Sequence, residues 1–394
     1  MKVKRLPDDF VVEERARLVP SDRGRYAVYL LRKRGIGTLE ALRAVRRAWR
    51  VASRDVGFGG LKDRHAVTVQ WVTIPDGPKR NLDENAFRLT YEGRSDVPMT
   101  RMALSGNTFS VRLRDLSRDE AATVAARFDE SVRLGLPAYF DDQRFGSLRG
   151  GGGFAALHLL RGDAEAALRA VIASPSREDR GPVRERKRAL AKAWGDWEAA
   201  LPHVEGTPAR AAVLHLLRHP TDFEGAFAAL DRDERRLFAS AYASAVWNRA
   251  VRHRVEALVP EADRIALPGA AGPLVFPRDP MALLAFADAT LPLPAPGARA
   301  HDPAWHEALT SSLAEDGLTL DALALPRRLG MDLRATQRPV LFRPDEPHAG
   351  DPVPDDLHPR RFALDLSFTL APGLYATILL RRLTYDMGGA KSLP

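Results

Sequence analysis

A charged, glycine-rich segment followed directly by a strand-like run most constrains the fold of this 394-residue chain. Residues 59–66 read Gly-Gly-Leu-Lys-Asp-Arg-His-Ala, and residues 67–74 read Val-Thr-Val-Gln-Trp-Val-Thr-Ile. β-Branched and aromatic residues dominate the second run, which predicts a strand. The glycines and charges before it predict a loop. We therefore expect Asp63 on a loop at a strand end, between the cations Lys62 and Arg64.

This arrangement suits chemistry at a carboxylate. Two permanent cations beside Asp63 are expected to lower its pKa and keep it ionised. Such a carboxylate, in a positive local field, can act as an acid, base or nucleophile on a polyanion. The same residues also fit a surface turn with solvated charges. Spacing alone favours the surface turn, because short motifs often match by chance.

Composition excludes several classes of protein. The chain has 45% hydrophobic and 28% charged residues, which is typical of a globular protein with a large core. It contains no cysteine, so disulfides, thiolate catalysis and cysteine-ligated metals are excluded. No apolar run reaches the length of a membrane span, and no apolar segment follows the basic N-terminus. The expected compartment is the cytoplasm.

The positive charge is unevenly distributed. The net charge is +8, yet residues 1–66 alone hold 17 Lys and Arg against 8 Asp and Glu, a balance of +9. A helix that Thr38 is predicted to cap has apolar Leu39, Leu42, Val45 and Trp49 on one face and Arg43, Arg46, Arg47 and Arg50 on the other. A second basic run lies at residues 184–188. This distribution favours a nucleic-acid partner.

Strand and helix signals alternate over the first 150 residues. Strands are predicted over 10–14, 26–31 and 107–113, and Ser117 with Glu120 forms a capping box that opens a helix ending near Leu134. The glycine-rich residues 146–153 predict a flexible boundary. Helices are expected near 155–172, 184–201, 208–218 and 232–257, and a strand over 361–370 and a helix over 375–383 end the chain. One domain interrupted by an inserted second domain fits this order.

The segment Gly-Gly-Leu-Lys-Asp-Arg-His-Ala-Val-Thr-Val-Gln-Trp at 59–71 resembles the signature of the TruD family of tRNA pseudouridine synthases. The resemblance continues in order along the chain, at 9–14, 104–109, 137–146 and 373–377. Three residues depart from the family pattern: Ala138 stands for an Asn, Asp141 for a Gly, and Tyr375 for the Phe of some members. The first two place a close copy of the 137–146 loop in doubt.

The resemblance implies an α+β fold. A pseudouridine synthase catalytic domain with a mixed, largely antiparallel sheet would comprise residues 1–151 and 336–394. A helix-rich TRUD insertion domain, residues 152–335, would interrupt it.

The resemblance also implies that a uridine of tRNA, at position 13 in bacteria, is isomerised to pseudouridine without cofactor or metal. Asp63 would be catalytic and act on the ribose, as nucleophile or as base. Residues that would bind substrate are Phe10, Glu14, Lys62, Arg64, Asn107, Phe109 and Tyr375. Phe109 and Tyr375 would stack on the flipped base. Transfer RNA is the implied partner, with no membrane and no obligate protein partner.

Other functions remain open at this point. A non-catalytic tRNA-binding or RNA-folding protein would share the basic residues without depending on Asp63. The run Gly150–Ala155 formally fits a dinucleotide-binding motif, but no buried apolar strand precedes it, which argues against an oxidoreductase. An RNA methyltransferase would need a glycine-rich cofactor loop after a strand, and this sequence contains no convincing one. His215 and His219 have the spacing of a helical metal pair but lack the accompanying Glu of zinc proteases.

Overall fold

A computed structural model describes residues 1–150, 153–175, 179 and 181–387. The chain divides into two compact units, Met1–Gly135 with Arg343–Pro394, and Leu136–Phe342. The division therefore precedes the glycine-rich run, whereas the sequence placed the domain limits at 151/152 and 335/336.

The first unit is built on a large mixed sheet. Its strands are β1 (Phe10–Ala16), β2 (Tyr26–Arg34), β3 (Gly57–Phe58), β4 (Val67–Pro75), β5 (Leu82–Glu84), β6 (Phe87–Ser95), β7 (Leu104–Leu116), β14 (Asp345–Ala349), β15 (Val353–Pro354) and β16 (Phe362–Leu370). These ten strands of the described chain follow the order β14-β16-β7-β1-β4-β2-β6-β5, to which β15 adds beside β16 and β3 beside β4. Its helices are α1 (Thr38–Trp49), α2 (Arg118–Leu134) and α11 (Ala376–Leu383). Strands β1 and β4 pair in parallel, and the other pairs are antiparallel.

The strands predicted at 10–14, 26–31, 67–74, 107–113 and 361–370 are confirmed. Helix α2 also begins as predicted, since the Ser117 hydroxyl accepts from the Glu120 N–H at 3.0 Å and the Glu120 carboxylate accepts from the Ser117 N–H at 2.6 Å. Gly135 ends it with a positive φ of 84°. Strands β14 and β15 lie within residues 343–359, whose many Pro and Asp residues predict a loop instead of a strand.

Helix α1 departs from the prediction at its start. Gly37, rather than Thr38, occupies the N-cap position, and Thr38 is the first helical residue, with its hydroxyl turned to other partners. Ala41, Leu42 and Val45 are buried, as the periodicity requires, but Leu39 is 45% exposed. The basic face is partly as expected, because Arg43, Arg47 and Arg50 are exposed while Arg46 is half-buried.

One face of the sheet carries the helices and organises the core. Helix α1 buries its apolar residues against β2, β4 and β6, in a cluster that includes Tyr29, Leu31, Val72 and Leu89. Farther along the same face, Phe128 of α2 packs on Phe368 of β16, which stacks on Phe109 of β7. The register aligns Phe109 with Val12 and with Phe368.

A buried ion-pair cluster ties the N-terminus to the C-terminal strands of the first unit. Arg114 is 3% exposed, and its guanidinium donates to Asp9 at 2.8 Å, to Asp355 at 2.9 Å and to Asp356 at 2.5 Å. Burial would raise the pKa of Asp355, but hydrogen bonds from Leu357, Asp115, His358 and Arg114 lower it strongly. The pKa of Arg114 is raised, so Arg114 and Asp355 face each other as an ion pair at neutral pH.

The described residues of the second unit are mostly helical, with three small two-stranded sheets. Its helices are α3 (Ala155–Leu160), α4 (Ala164–Ile172), α5 (Gly181–Lys192), α6 (Trp197–Ala200), α7 (Arg210–Arg218), α8 (Phe223–Ala228), α9 (Arg232–Leu258) and α10 (Pro303–Ala314). Its strands are β8 (Leu136–Pro137), β9 (Arg264–Leu267), β10 (Leu274–Pro277), β11 (Thr290–Pro292), β12 (Gln337–Pro339) and β13 (Leu341–Phe342). Among the described residues of both units, no helix is long and apolar enough to cross a bilayer.

The segment before the glycine run belongs to this second unit because its side chains are buried there. Tyr139 donates to the carbonyl of Val275 at 2.8 Å, and the backbone of Phe140 exchanges two 2.8 Å hydrogen bonds with Asn248 of α9. Residues 142–150 form a 3₁₀ segment rather than a flexible boundary, and residues 151 and 152 lie outside the described part.

The buried Arg114 cluster yields a stability prediction. Replacing Arg114 with Met leaves the buried carboxylates of Asp9 and Asp355 without their cation, so Arg114→Met is expected to lower the free energy of unfolding by about 3–5 kcal/mol. Arg112 on the same strand pairs with Asp365 at the surface, with 37% and 51% of the side chains exposed. Arg112→Met should therefore cost about 1 kcal/mol or less. Urea unfolding of both variants measures the difference, and equal losses would contradict it.

Candidate active site

The loop that carries Asp63, residues 59–65, is fixed to α1 and β4 by side-chain hydrogen bonds. The Thr38 hydroxyl accepts from the Lys62 N–H at 3.0 Å and donates to the Gln70 amide oxygen at 2.9 Å, and the Gln70 NH2 donates to the Gly60 carbonyl at 3.2 Å. A Cβ at Gly59 would lie 2.7 Å from a methyl carbon of Leu104. The loop thus packs closely enough against β7 to need glycine there.

The carboxylate of Asp63 is held from two sides. The Lys4 ammonium donates to Oδ2 at 2.6 Å, and the His65 backbone N–H donates to Oδ1 at 2.9 Å. The Lys4 side chain is 6% exposed, while that of Asp63 is 29% exposed. Burial by itself would raise the pKa of Asp63, but the hydrogen bonds from Lys4 and His65 outweigh it and lower the pKa below its usual range. Asp63 is therefore an ionised, oriented and partly accessible carboxylate.

The ionised state was predicted from the sequence, but the cations responsible are different. Lys62 turns away from Asp63 and pairs with Glu14 at 3.0 Å, and Arg64 pairs with both carboxylate oxygens of Glu40 at 2.8 and 2.6 Å. Neighbouring residues on a tight loop direct their side chains to different surroundings. The cation that contacts Asp63 instead comes from Lys4, 59 residues earlier.

Glu14, Lys62 and Asn107 form one connected group beside Asp63. Glu14 and Asn107 are cross-strand partners of β1 and β7, and Lys62 Nζ contacts Glu14 at 3.0 Å and Asn107 Oδ1 at 2.5 Å. The buried Glu14 carboxylate also accepts from the Trp71 N–H at 3.0 Å. Because an ammonium group only donates, the amide oxygen of Asn107 must face Lys62. The NH2 group of Asn107 is then the part left to donate elsewhere.

Aromatic rings border the same group. Phe10 is buried, lies edge-to-face with Phe109 at 6.1 Å, and receives the Lys4 ammonium over its ring at 4.2 Å. Phe109 is only partly buried, and its other ring neighbour is Phe368 at 5.5 Å. Phe10 therefore supports the site from within, and Phe109 retains some accessible surface beside it.

Tyr375 is a half-buried residue directly before α11. Strand β16 ends at Leu370, which pairs with Asn107, so the turn that leads to Tyr375 starts at the Asn107 end of β7. The segment that leads to Tyr375 therefore leaves the sheet beside Asn107. A role for Tyr375 in stacking stays a prediction.

Two lysines that hold Asp63 were missed by the sequence reasoning. Lys4 carries no local signal, because its contact depends on the pairing of β1 with β4. Lys33 donates to the Asp63 backbone carbonyl at 2.6 Å from a position that is 1% exposed. Its signal was available, since a lysine in the inward-facing series Tyr29, Leu31, Lys33 of a strand is unusual.

The motifs set aside on sequence grounds do not assemble a second site. His215 pairs with Asp222 at 3.0 Å, and its ring centre lies 5.0 Å from that of His219. The described residues contain no group of three or more potential metal ligands. Within Gly150–Ala155, residues 151 and 152 lie outside the described part, and the described segment before them is the 3₁₀ stretch rather than a strand.

The contact between Lys4 and Asp63 yields a prediction about ionisation. Lys4→Met removes the hydrogen bond and the positive charge while the burial of Asp63 remains, so the pKa of Asp63 should rise. Carboxyl ¹³C titration of aspartate-labelled protein measures the change, with Asp63→Asn assigning the signal. Lys2→Met, which removes a more exposed cation from the same segment, should leave the Asp63 signal unmoved. An unchanged pKa in Lys4→Met would refute the assignment of Lys4 as the main stabilising group.

Known proteins resemble this chain over nearly its whole length. The family model of tRNA pseudouridine synthase D (TruD) matches residues 1–383. The probable tRNA pseudouridine synthase D 1 of Methanococcus maripaludis is 30% identical over 390 residues, covering 97% of this chain and 99% of the relative. The tRNA pseudouridine synthase D of Aquifex aeolicus is 31% identical over 396 residues, covering 97% and 98%.

A solved structure is similar over nearly the whole chain. The putative tRNA pseudouridine synthase D of Methanosarcina mazei aligns with a TM-score of 0.75 and 26% identity, covering 99% of this chain and 94% of the other. The α+β fold expected from the sequence is confirmed by this match and by the mixed sheet with its helices. With the family model matched across both compact units and the signature loop built around an ionised aspartate, this chain belongs to the TruD family of tRNA pseudouridine synthases.

Proposed function

We propose that this protein isomerises one uridine of tRNA to pseudouridine and that Asp63 is the catalytic residue. The observation that carries the proposal is the Asp63 carboxylate, which is ionised by Lys4, oriented by the His65 N–H and still 29% exposed. Accessible carboxylates whose pKa is shifted by a specific charged partner cluster at functional sites. Membership of the TruD family also supports Asp63 as the catalytic residue.

The reaction breaks the bond between ribose C1′ and uracil N1 and forms one between C1′ and C5, while C5 loses its proton and N1 gains one. Because product and substrate are isomers, no oxidant or reductant is consumed. Asp63 can serve either as a nucleophile at C1′ or as a base on the ribose, since both roles need an ionised carboxylate. Lys4 stabilises that ionised form in the resting enzyme.

Neighbouring groups account for recognition of the base. The NH2 group of Asn107, left as donor by the contact of its oxygen with Lys62, suits a carbonyl oxygen of uracil. The partly accessible ring of Phe109 suits stacking on a base flipped out of the RNA, with Tyr375 as a second candidate. Glu14, Lys62 and Phe10 then act through Asn107 and Phe109 rather than by touching the nucleotide.

The basic face of α1 is the proposed contact for the RNA backbone. Arg43, Arg47 and Arg50 are exposed there, and the ion pair of Arg64 with Glu40 joins the first turn of this helix to the Asp63 loop. A tRNA phosphate chain along this face would lead to the carboxylate. The position-13 target, a cytoplasmic location, and the lack of a cofactor, metal or obligate protein partner are further predictions that come from the resemblance and composition.

Release of tritium from tRNA labelled at uridine C5 tests the catalytic residue. Wild-type protein should release tritium, and Asp63→Asn should reduce release to background while tRNA binding remains. Asp55→Asn changes a carboxylate of the preceding segment in the same conservative way and should keep full activity. Release by neither wild type nor variant, from a complete tRNA pool, would favour the non-catalytic tRNA-binding alternative. Equal release by wild type and Asp63→Asn would mean that the catalytic residue lies elsewhere.

Salt dependence of binding tests the proposed RNA face. Each phosphate contact that is lost should reduce the slope of log K against log salt by about 0.7–0.9. Arg47→Glu on α1 is expected to weaken tRNA binding and flatten this slope. Arg88→Glu places the same charge change on an exposed residue of β6, paired with Asp83, and should leave the slope unchanged. Equal slopes for Arg47→Glu and wild type would exclude this face.

A further inference from the structure

A buried lysine of the first unit has no part in the chemistry described so far. Lys33 lies near the end of β2, where its cross-strand neighbours are Thr68 of β4 and Phe87 of β6. It is 1% exposed and follows Tyr29 and Leu31 on the inward face. A buried ammonium group is costly unless its donors are satisfied, so its contacts need an explanation.

All the contacts of the Lys33 ammonium are with backbone carbonyls. Nζ donates to Asp63 O at 2.6 Å, to Ile36 O at 2.9 Å and to Lys62 O at 3.4 Å. No carboxylate among the residues that the structure describes lies within ion-pair distance of it. Three donors thus meet three acceptors, two of which belong to consecutive residues of the Asp63 loop. The third belongs to the turn between β2 and α1.

We propose that Lys33 is a positioning residue for the isomerisation, which sets the direction of the Asp63 carboxylate by holding the backbone of Lys62 and Asp63. The proposal rests on the proposed catalytic role of Asp63. Lys33 holds the backbone carbonyl of this residue, and Lys4 holds its side chain. With both ends fixed, the carboxylate has little freedom to leave the orientation in which it meets the ribose.

Such a constraint matters because the chemical step is sensitive to geometry. A displacement of a reacting group by about 1 Å can slow a reaction about 10²-fold. The loop has other supports, from Thr38 and Gln70, so losing Lys33 should loosen the Asp63 peptide without unfolding the domain. The expected effect is on the rate of the chemical step and not on the affinity for tRNA.

The charges around Lys33 make this support dependent on pH. Burial, the largest cause, and the Lys62 ammonium lower the pKa of Lys33 to about 8, against the opposing effect of Asp63. The other charged groups around the loop are already paired: Lys4 with Asp63, Glu14 with Lys62, and Arg64 with Glu40. The neighbours Thr68 and Phe87 are uncharged. Above about pH 8 the Lys33 side chain becomes a neutral amine, which has one N–H donor fewer than the ammonium group. Its lone pair would then face one of the carbonyl oxygens.

The sign of the effect on stability separates positioning from unfolding. The folded-state pKa of Lys33 lies below the ordinary lysine value of 10.5, so the folded state favours the neutral amine. This group therefore adds stability, rather than removing it, as the pH rises from about 8 toward 10.5. A fall in rate over that range cannot come from unfolding driven by Lys33.

Single-turnover tritium release from tRNA, measured from pH 6.5 to 9.5, tests the proposal. Wild type should lose rate above about pH 8 without losing thermal stability. Lys33→Met should react about 10- to 100-fold more slowly at pH 7, bind tRNA with unchanged affinity, and lack the decline near pH 8. Lys33→Gln, which keeps a donor that does not titrate, should be intermediate in rate and equally free of that decline. Arg32→Met, at the exposed neighbouring position of β2, should match wild type.

Several results would overturn the proposal: a normal rate in Lys33→Met, a loss explained by the unfolded fraction, or a wild-type rate that stays constant through pH 8. Failure of the proposed function has a different signature, namely no release by wild type or undiminished release by Asp63→Asn. In that case the positioning role of Lys33 is tested by comparing the Asp63 carboxyl ¹³C signal of Lys33→Met with that of wild type. An unchanged signal in folded Lys33→Met would then refute it.

Discussion

The candidate site depends on buried lysines that hold one short loop. Lys4 contacts the Asp63 carboxylate, Lys33 contacts the backbone carbonyls of the loop, and Lys62 connects the loop to Glu14 and Asn107. Burying ammonium groups is unfavourable, and each one is offset here by a carboxylate or by carbonyl oxygens. The result is a carboxylate whose charge and direction are both set by the protein itself, as the proposed catalytic role of Asp63 requires.

The sheet makes these contacts possible by bringing together strands that are distant in sequence. The parallel pairing of β1 with β4 and the antiparallel pairing of β1 with β7 place the N-terminal segment between the Asp63 loop and Asn107. The N-terminus is tied down by Arg114, whose buried carboxylate partners include Asp9 at the start of β1 and Asp355 before β16. The Arg114 cluster therefore helps stabilise the frame from which Lys4 reaches Asp63.

Much of the fold was predictable where the determinants are local. The capping box of α2, the alternation of β7 and the strand after Asp63 each depend on residues within a few positions of one another, and all were confirmed. Predictions failed where partners are distant. Residues 142–150 contain glycines typical of a linker, yet Phe145 is 1% exposed and Arg144 donates to Ser244 of α9 at 3.1 Å. The short strands β14 and β15 exist because β16 offers its edge, not because of their own propensity.

The sequence by itself determined six elements of the first 135 residues, namely β1, β2, β4, β7, α1 and α2, but not β3, β5 or β6. It also determined an ionised Asp63 on a loop before a strand, and the family to which these residues belong. Only the tertiary structure decided which cation stabilises Asp63, why Lys62 faces Glu14 and Asn107, and that Lys33 holds the loop from within. The physical reason is that a side chain's partners are set by sheet register and loop geometry. Adjacent residues such as Lys62, Asp63 and Arg64 diverge into different surroundings, while Lys4 and Asp63 meet across 59 positions of sequence.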